Sequence, residues 1–217
     1  MNRAAESAAG GNVYPHLRFI AAGTGISGFF SLLQQGVLLK TRGGCSITAF
    51  LREEIGVAPD AMERIQSVFL DGRPVDDLDS AIIKEGSSLA LSAAMPGLVG
   101  ATLRRGGAYA SFRSTITYRD TGVQCAPGEG FVQIKLFNLL MDELGPGLLE
   151  KGIFIKSLDL ADFLKGRSPD FWKGFRQVLL DGAPAVRELG GESAWSSSQD
   201  LIYLSVTTAE QDDPTGS

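Results

Sequence analysis

The chain has 217 residues, 44% of them apolar and 21% charged. That is ordinary for a folded protein and enough for two domains of about 100 residues each. With 20 basic against 25 acidic residues the net charge is −5, which argues against broad electrostatic capture of nucleic acid or of an anionic membrane. A single histidine, His16, excludes a His-rich metal site and a histidine relay. Cys45 and Cys125 lie too far apart for a CxxC site and indicate no disulfide framework.

Residues 1–12 are rich in Ala, Gly and Ser and have no apolar core of a secretory signal, so a cytoplasmic protein with reduced thiols is expected. No charge occurs between Arg18 and Lys40, a run long enough to span a bilayer. Gly23, Gly25, Gly28 and Gly36 divide it, and Gln34 and Gln35 would sit in hydrocarbon, so buried elements of a soluble core are the better account. Within this run Gly23-Thr24-Gly25-Ile26-Ser27-Gly28 matches G-x-G-x-x-G, between an apolar run at 17–22 and a helical pattern at 29–35. That context suits a dinucleotide, because glycines admit the pyrophosphate to backbone amides at a helix N-terminus. The segment from Ala21 to Ile26 also resembles the nucleotide loop of ferredoxin-reductase-type enzymes. Against it, the next strand ends Lys40-Thr41-Arg42 where an acid should hold the ribose, and no βαβ pattern follows.

A strand is expected at 37–40, then a helix at 47–55 capped by Ser46 and ended by Gly56. Cys45, just ahead of that helix, reads as an inert thiol. A strand at 68–70 turns at Asp71-Gly72, and Asp76, Asp77 and Asp79 after it read as a solvated acidic loop rather than a metal site. A last strand covers 89–93. The uncharged Met95-Pro96-Gly97-Leu98-Val99 that follows is either an exposed contact loop or a segment tucked against a neighbouring domain. Leu103-Arg104-Arg105-Gly106-Gly107 reads as a basic, Gly-rich linker.

Beyond it the order recurs: a strand at 131–137, helical spacing at 139–151 interrupted by Gly145-Pro146-Gly147, a strand at 152–156, a short helix at 157–164, a strand at 178–180 closed by Asp181-Gly182, and a final strand at 201–207. Phe171, Trp172 and Phe175 form an aromatic patch suited to packing. Five blocks repeat in the same order with offsets between 107 and 116, the best being Val68 to Val75 against Val178 to Ala185. The reading is therefore an α+β fold duplicated in tandem: a first domain over 13–103, a linker at 104–108, a second domain over 109–209 and an acidic tail at 210–217. Up to Ala108 there are ten basic and ten acidic residues, so the second half carries the net charge.

The order strand, strand, helix, strand, strand, with an Asp-Gly-x-Pro turn and a terminal strand after a polar turn, resembles the β-grasp fold. Val132-Gln133-Ile134-Lys135-Leu136-Phe137 with Leu144-Gly145 resembles the opening of the molybdopterin-synthase small subunit. Ile82 to Leu91, with its Glu85-Gly86 turn, resembles the sulfur carriers of thiamine and molybdopterin synthesis, and ubiquitin is a more distant likeness. The family acts through a C-terminal Gly-Gly; here the chain ends Thr-Gly-Ser, and Gly106-Gly107 is internal, so a carrier role would need cleavage after Gly107. Strands, turns and apolar positions recur, whereas catalytic residues do not. The leading expectation is thus a non-catalytic module that binds another protein, with no cofactor and no metal. A carrier precursor acting through Gly107 and a nucleotide-binding oxidoreductase using Gly23, Gly25 and Gly28 are the alternatives.

Overall fold

A computed structural model describes residues 14–119, 129–185 and 201–208. Burial alternates along two of its longer strands: in β1 (His16–Ala21) Leu17, Phe19 and Ala21 are buried, and in β6 (Gly130–Phe137) every second residue is. The other strands are β2 (Val37–Thr41), β3 (Ser67–Leu70), β4 (Arg73–Pro74), β5 (Ser88–Ser92), β7 (Ile153–Lys156), β8 (Phe175–Leu180), β9 (Ala183–Pro184) and β10 (Leu201–Thr208). All ten join one mixed sheet in the order β4-β3-β5-β6-β2-β7-β10-β1-β8-β9. With seven α-helices among the described residues this is an α+β architecture. No helix among the described residues is long and apolar enough to cross a membrane.

The expected helices at 47–55 and 157–164 form, and Pro59–Arg64, Gly97–Leu103 and Pro169–Lys173 add helices that the sequence pattern does not indicate. Ser46 Oγ accepts from the Ala49 amide at the start of α2 (Ile47–Ala49), which runs on as a π-helix over Phe50–Ile55 and stops at Gly56 in the left-handed region. Next come α3 (Pro59–Arg64) and α4 (Gly97–Leu103). In the second half are α5 (Leu139–Lys151), α6 (Ser157–Lys165) and α7 (Pro169–Lys173). A 3-10 helix (Gly23–Phe29) leads into α1 (Phe30–Gln35). The expected break at Gly145-Pro146-Gly147 does not occur: α5 continues through Pro146, because Leu140, Leu148 and Leu149 are buried on both sides of it and Gly145 nestles against Phe30 and Leu33 of α1. Burial of those leucines outweighs one missing amide.

The pairing pattern has a two-fold repeat centred on Leu38 of β2 and Phe154 of β7, which are each other's partners. Outward from there both halves read antiparallel, parallel, antiparallel, antiparallel. Turn chemistry matches too. Asp71 (φ +51°) donates its amide to the Ser88 carbonyl at 2.8 Å and accepts the Ser88 amide on Oδ1 at 2.7 Å. Asp181 (φ +48°) does the same to His16 at 2.9 and 2.8 Å. Gly36 and Gly152, both at positive φ, close α1 and α5 and admit Gln133 and Tyr203 respectively.

Chain order departs from this symmetry. The repeat aligns β5 with β10, yet the strand standing where β5 stands is β1, between β8 and β10, while β10 matches β6. Both places are neighbouring parallel slots buried on one face, so the same alternating pattern suits either. Periodicity does not distinguish them. As a result, β1–α1–β2 and β6–α5–β7 each carry the chain from one half of the sheet to the other.

Candidate interaction surface

After β5 the chain leaves the sheet and folds back beside β3 and β4. The Arg105 amide donates to the Gln66 carbonyl at 2.7 Å, and the Tyr118 amide to the Pro74 carbonyl at 2.8 Å. Between these ties lie α4 and a 3-10 turn (Ala110–Arg113). The two are bound together by Arg113, only 4% exposed. Its Nη2 and Nη1 donate to the two Asp76 carboxylate oxygens at 2.6 and 3.1 Å, Nε donates to the Thr102 carbonyl at 2.7 Å, and Nη2 also reaches the Arg104 carbonyl at 3.2 Å. Such a forked, charge-assisted contact fixes orientation as well as distance. Asp76 also accepts the Gly106 amide at 3.0 Å. Burial pushes its carboxyl up, but the bonds from Arg113 and Gly106 together with the Arg113 charge hold it below the ordinary carboxylate value.

What this clamp holds outward is apolar. Leu98 is 72% exposed, Val99 69%, Phe112 77%, Ile116 55% and Tyr109 46%; these are five of the seven large apolar side chains exposed among the described residues. The Tyr109 and Phe112 rings stack with centroids 6.0 Å apart. Aromatic side chains alone cover about 150–250 Å² each, so the element presents apolar surface of the order that marks interaction sites.

Two sets of sequence-predicted residues meet here. The Met95–Val99 segment is the entry and first turn of α4 rather than a loop: Met95 is half-buried, Pro96 and Gly97 are exposed, and Leu98 and Val99 face outward while Leu103 is half-buried. Gly106 and Gly107 form the turn after it, Gly106 at φ +61° on Asp76 and the Gly107 amide on the Arg104 carbonyl. Sequence reasoning missed Tyr109, Phe112, Ile116 and Arg113. The available signal was a stretch of 34 residues, 86–119, without one Asp or Glu.

The glycine fingerprint lies elsewhere, at the end of β1. A Cβ on Gly25 would overlap the Gly174 carbonyl, and one on Gly28 would come 2.8 Å from the Phe171 ring. Gly23 sits at φ +67° with open space beside it. Close packing on α7 and β8 therefore occupies two of the three glycine faces. Phe171, Trp172 and Phe175 belong to the same cluster, with Phe19–Phe175 and Phe29–Phe171 centroids 5.1 and 5.5 Å apart. Asp77 Oδ1 accepts the Asp79 amide within its own loop. Burial and the Glu54 charge push the Cys45 thiol up, away from the reactive thiolate. Cys125 and the acidic tail lie outside the described residues. No protein-family model, curated protein or solved structure matches this chain.

Proposed function

We propose that the chain is a non-catalytic protein-binding module whose two sheet halves are β-grasp-like units, and that it docks a partner protein through the surface of α4 and the Tyr109–Ile116 turn. One observation carries this reading: Leu98, Val99 and Phe112 are each more than two-thirds exposed on an element that buried Arg113 holds rigid. Exposed apolar side chains on a mobile loop would lose their binding energy to ordering; on a clamped element that cost is already met. The recurring strand, helix, strand and Asp-Gly turn in both halves support the β-grasp reading.

Native mass spectrometry on the protein isolated from its own cells is the test, with Leu98→Asp and Phe112→Asp as companions. A co-purifying protein present with the wild type and lost from both variants is expected. Retention of the same partner by both variants overturns the assignment of the surface.

A further inference from the structure

Among the described residues the strands of the two sheet halves join through the pair of Leu38 with Phe154. Past it, β2 runs on against β6 alone through Leu39, Lys40 and Thr41, while β7 starts at Ile153 against β10. The strands part there, and a cleft opens between the end of β2 and the end of α5. Its inner recess, about 170 Å³, is walled by Leu39, Phe50, Ile55, Leu148, Phe154 and Tyr203. Its mouth, about 610 Å³, shares Lys40, Glu54 and Lys151 with the recess and adds Arg42, Glu53 and Glu129. An apolar pocket with a few convergent polar groups at its opening is the usual anatomy of a small-molecule site.

The charges at the mouth are unevenly satisfied. Lys40 and Glu129 pair at 2.8 Å. Lys151 instead places its ammonium on the Glu54 backbone carbonyl, so its charge meets no carboxylate among the described residues. The Glu54 carboxylate has Cys45 Sγ 4.0 Å away and no cation paired to it, and neither Glu53 nor Arg42 is in an ion pair among the described residues. Apart from the Lys40–Glu129 pair, Lys151, Arg42, Glu54 and Glu53 thus stand side by side over an apolar recess without an ion-pair partner among the described residues. A recess of this size matches the roughly 150 Å³ cavity that takes a benzene ring.

From this geometry we infer that the cleft binds a zwitterion with one large apolar tail, in the class of leucine and phenylalanine. The ligand's carboxylate lies towards Lys151 and Arg42, its ammonium towards Glu54 and Glu53, and its side chain enters between Phe50 and Phe154. A ligand with only one charge engages only one sign of charge at the mouth and forgoes the second charge-assisted contact. The inference is independent of the docking surface, since it uses none of its residues.

The test is thermal melting and calorimetry of the full chain with L-leucine, L-phenylalanine, hexanoate and hexylamine, on wild type, Lys151→Met and Glu54→Gln. At ten times its Kd a specific amino acid raises Tm by about 3–5 °C for a chain of this size. Expected are saturable binding of leucine or phenylalanine, at least tenfold weaker binding by each variant, and no comparable effect of the singly charged compounds. Both variants change exposed or half-exposed groups at the mouth, and their unliganded Tm values report whether they fold. Two results overturn the inference: no amino acid binding at millimolar concentration, or hexanoate or hexylamine binding as well as leucine does.

Discussion

The two halves of the sheet make the same turn with the same residue and then treat the next side chain differently. In one, Asp71-Gly72 leads through Arg73-Pro74 to Val75, whose amide returns to the Val68 carbonyl, and then to Asp76, the acid that receives Arg113. In the other, Asp181-Gly182 leads through Ala183-Pro184 to Ala185, whose amide returns to Val178 in the same way, but the following residue is Val186. Shared turn chemistry serves the fold. The residue after it is an acid in one copy and aliphatic in the other, and in the first half that acid is what ties the added element down through Arg113. The difference teaches that the proposed docking surface is grafted on a repeated scaffold rather than built from it.

The sharpest way to break that contrast is to remove the clamp. Arg113→Ala leaves Asp76 facing Gly106 without its counter-charge and frees the carbonyls of Thr102 and Arg104. Losing one partner of a buried pair costs about 3–5 kcal/mol, and the partly exposed Asp76 places the expected loss at the lower end, read by urea unfolding. Proteolysis within 96–117 accelerates at the same time; a variant that stays protected there overturns the clamp's role.

The central glycines come next. At Gly152 an added Cβ meets the ring and hydroxyl of Tyr203, which is held by its bond to the Lys151 carbonyl at 2.6 Å. At Gly36 it meets the flexible ends of Gln133 and Lys135 at 2.9 Å. Both require positive φ, so Gly152→Ala is expected to cost about 2–3 kcal/mol and Gly36→Ala about 1. Equal costs in denaturation would show that the two crossings are packed alike.

Asp71→Ala and Asp181→Ala each remove one amide acceptor and place alanine at positive φ. Losses of about 1–2 kcal/mol, equal for the two within experimental scatter, are expected. A large disparity would mean that the turns are not equivalent.

The smallest effect is a pH dependence confined to one half. His16 occupies the place of Ser88, with Nε2 2.8 Å from Ser205 Oγ. Burial and the Arg18 charge lower its pKa from the ordinary 6.5, partly offset by Asp181. The unfolded chain therefore takes up the proton first, so His16's contribution is complete above pH 6.5 and declines as pH falls towards its folded-state value. His16→Ser, which copies the other half, flattens that part of the stability profile; an unchanged slope between pH 7 and 5 rejects the assignment.

Much of this fold was legible because short-range rules governed it. Alternation in 131–137, the Ser46 cap and the two Asp-Gly turns each depend on a few neighbouring residues, and each falls where the pattern places it. Pro146 shows the limit: the local penalty was visible, while the burial of Leu148 and Leu149 that outweighs it exists only in the packed fold. The exchange of β1 and β10 was invisible for a related reason, since two adjacent buried slots ask for the same sequence. At the interaction surface Leu98 and Val99 drew notice as an uncharged run. Arg113 did not, because only the fold brings its guanidinium to Asp76, 37 residues earlier.

The place of β1 also bears on how the protein is made. His16 pairs with Tyr203, and Arg18 with Leu179 and Ser205. The earliest of the described strands thus finds both its neighbours, β8 and β10, more than 150 residues later in the chain. Until β8 and β10 arrive, Leu17 and Phe19 have no ladder to join, and contacts of such long sequence separation close slowly. An apolar strand left waiting is an aggregation hazard. The yield of folded protein is therefore expected to depend on how long β1 must wait for those partners.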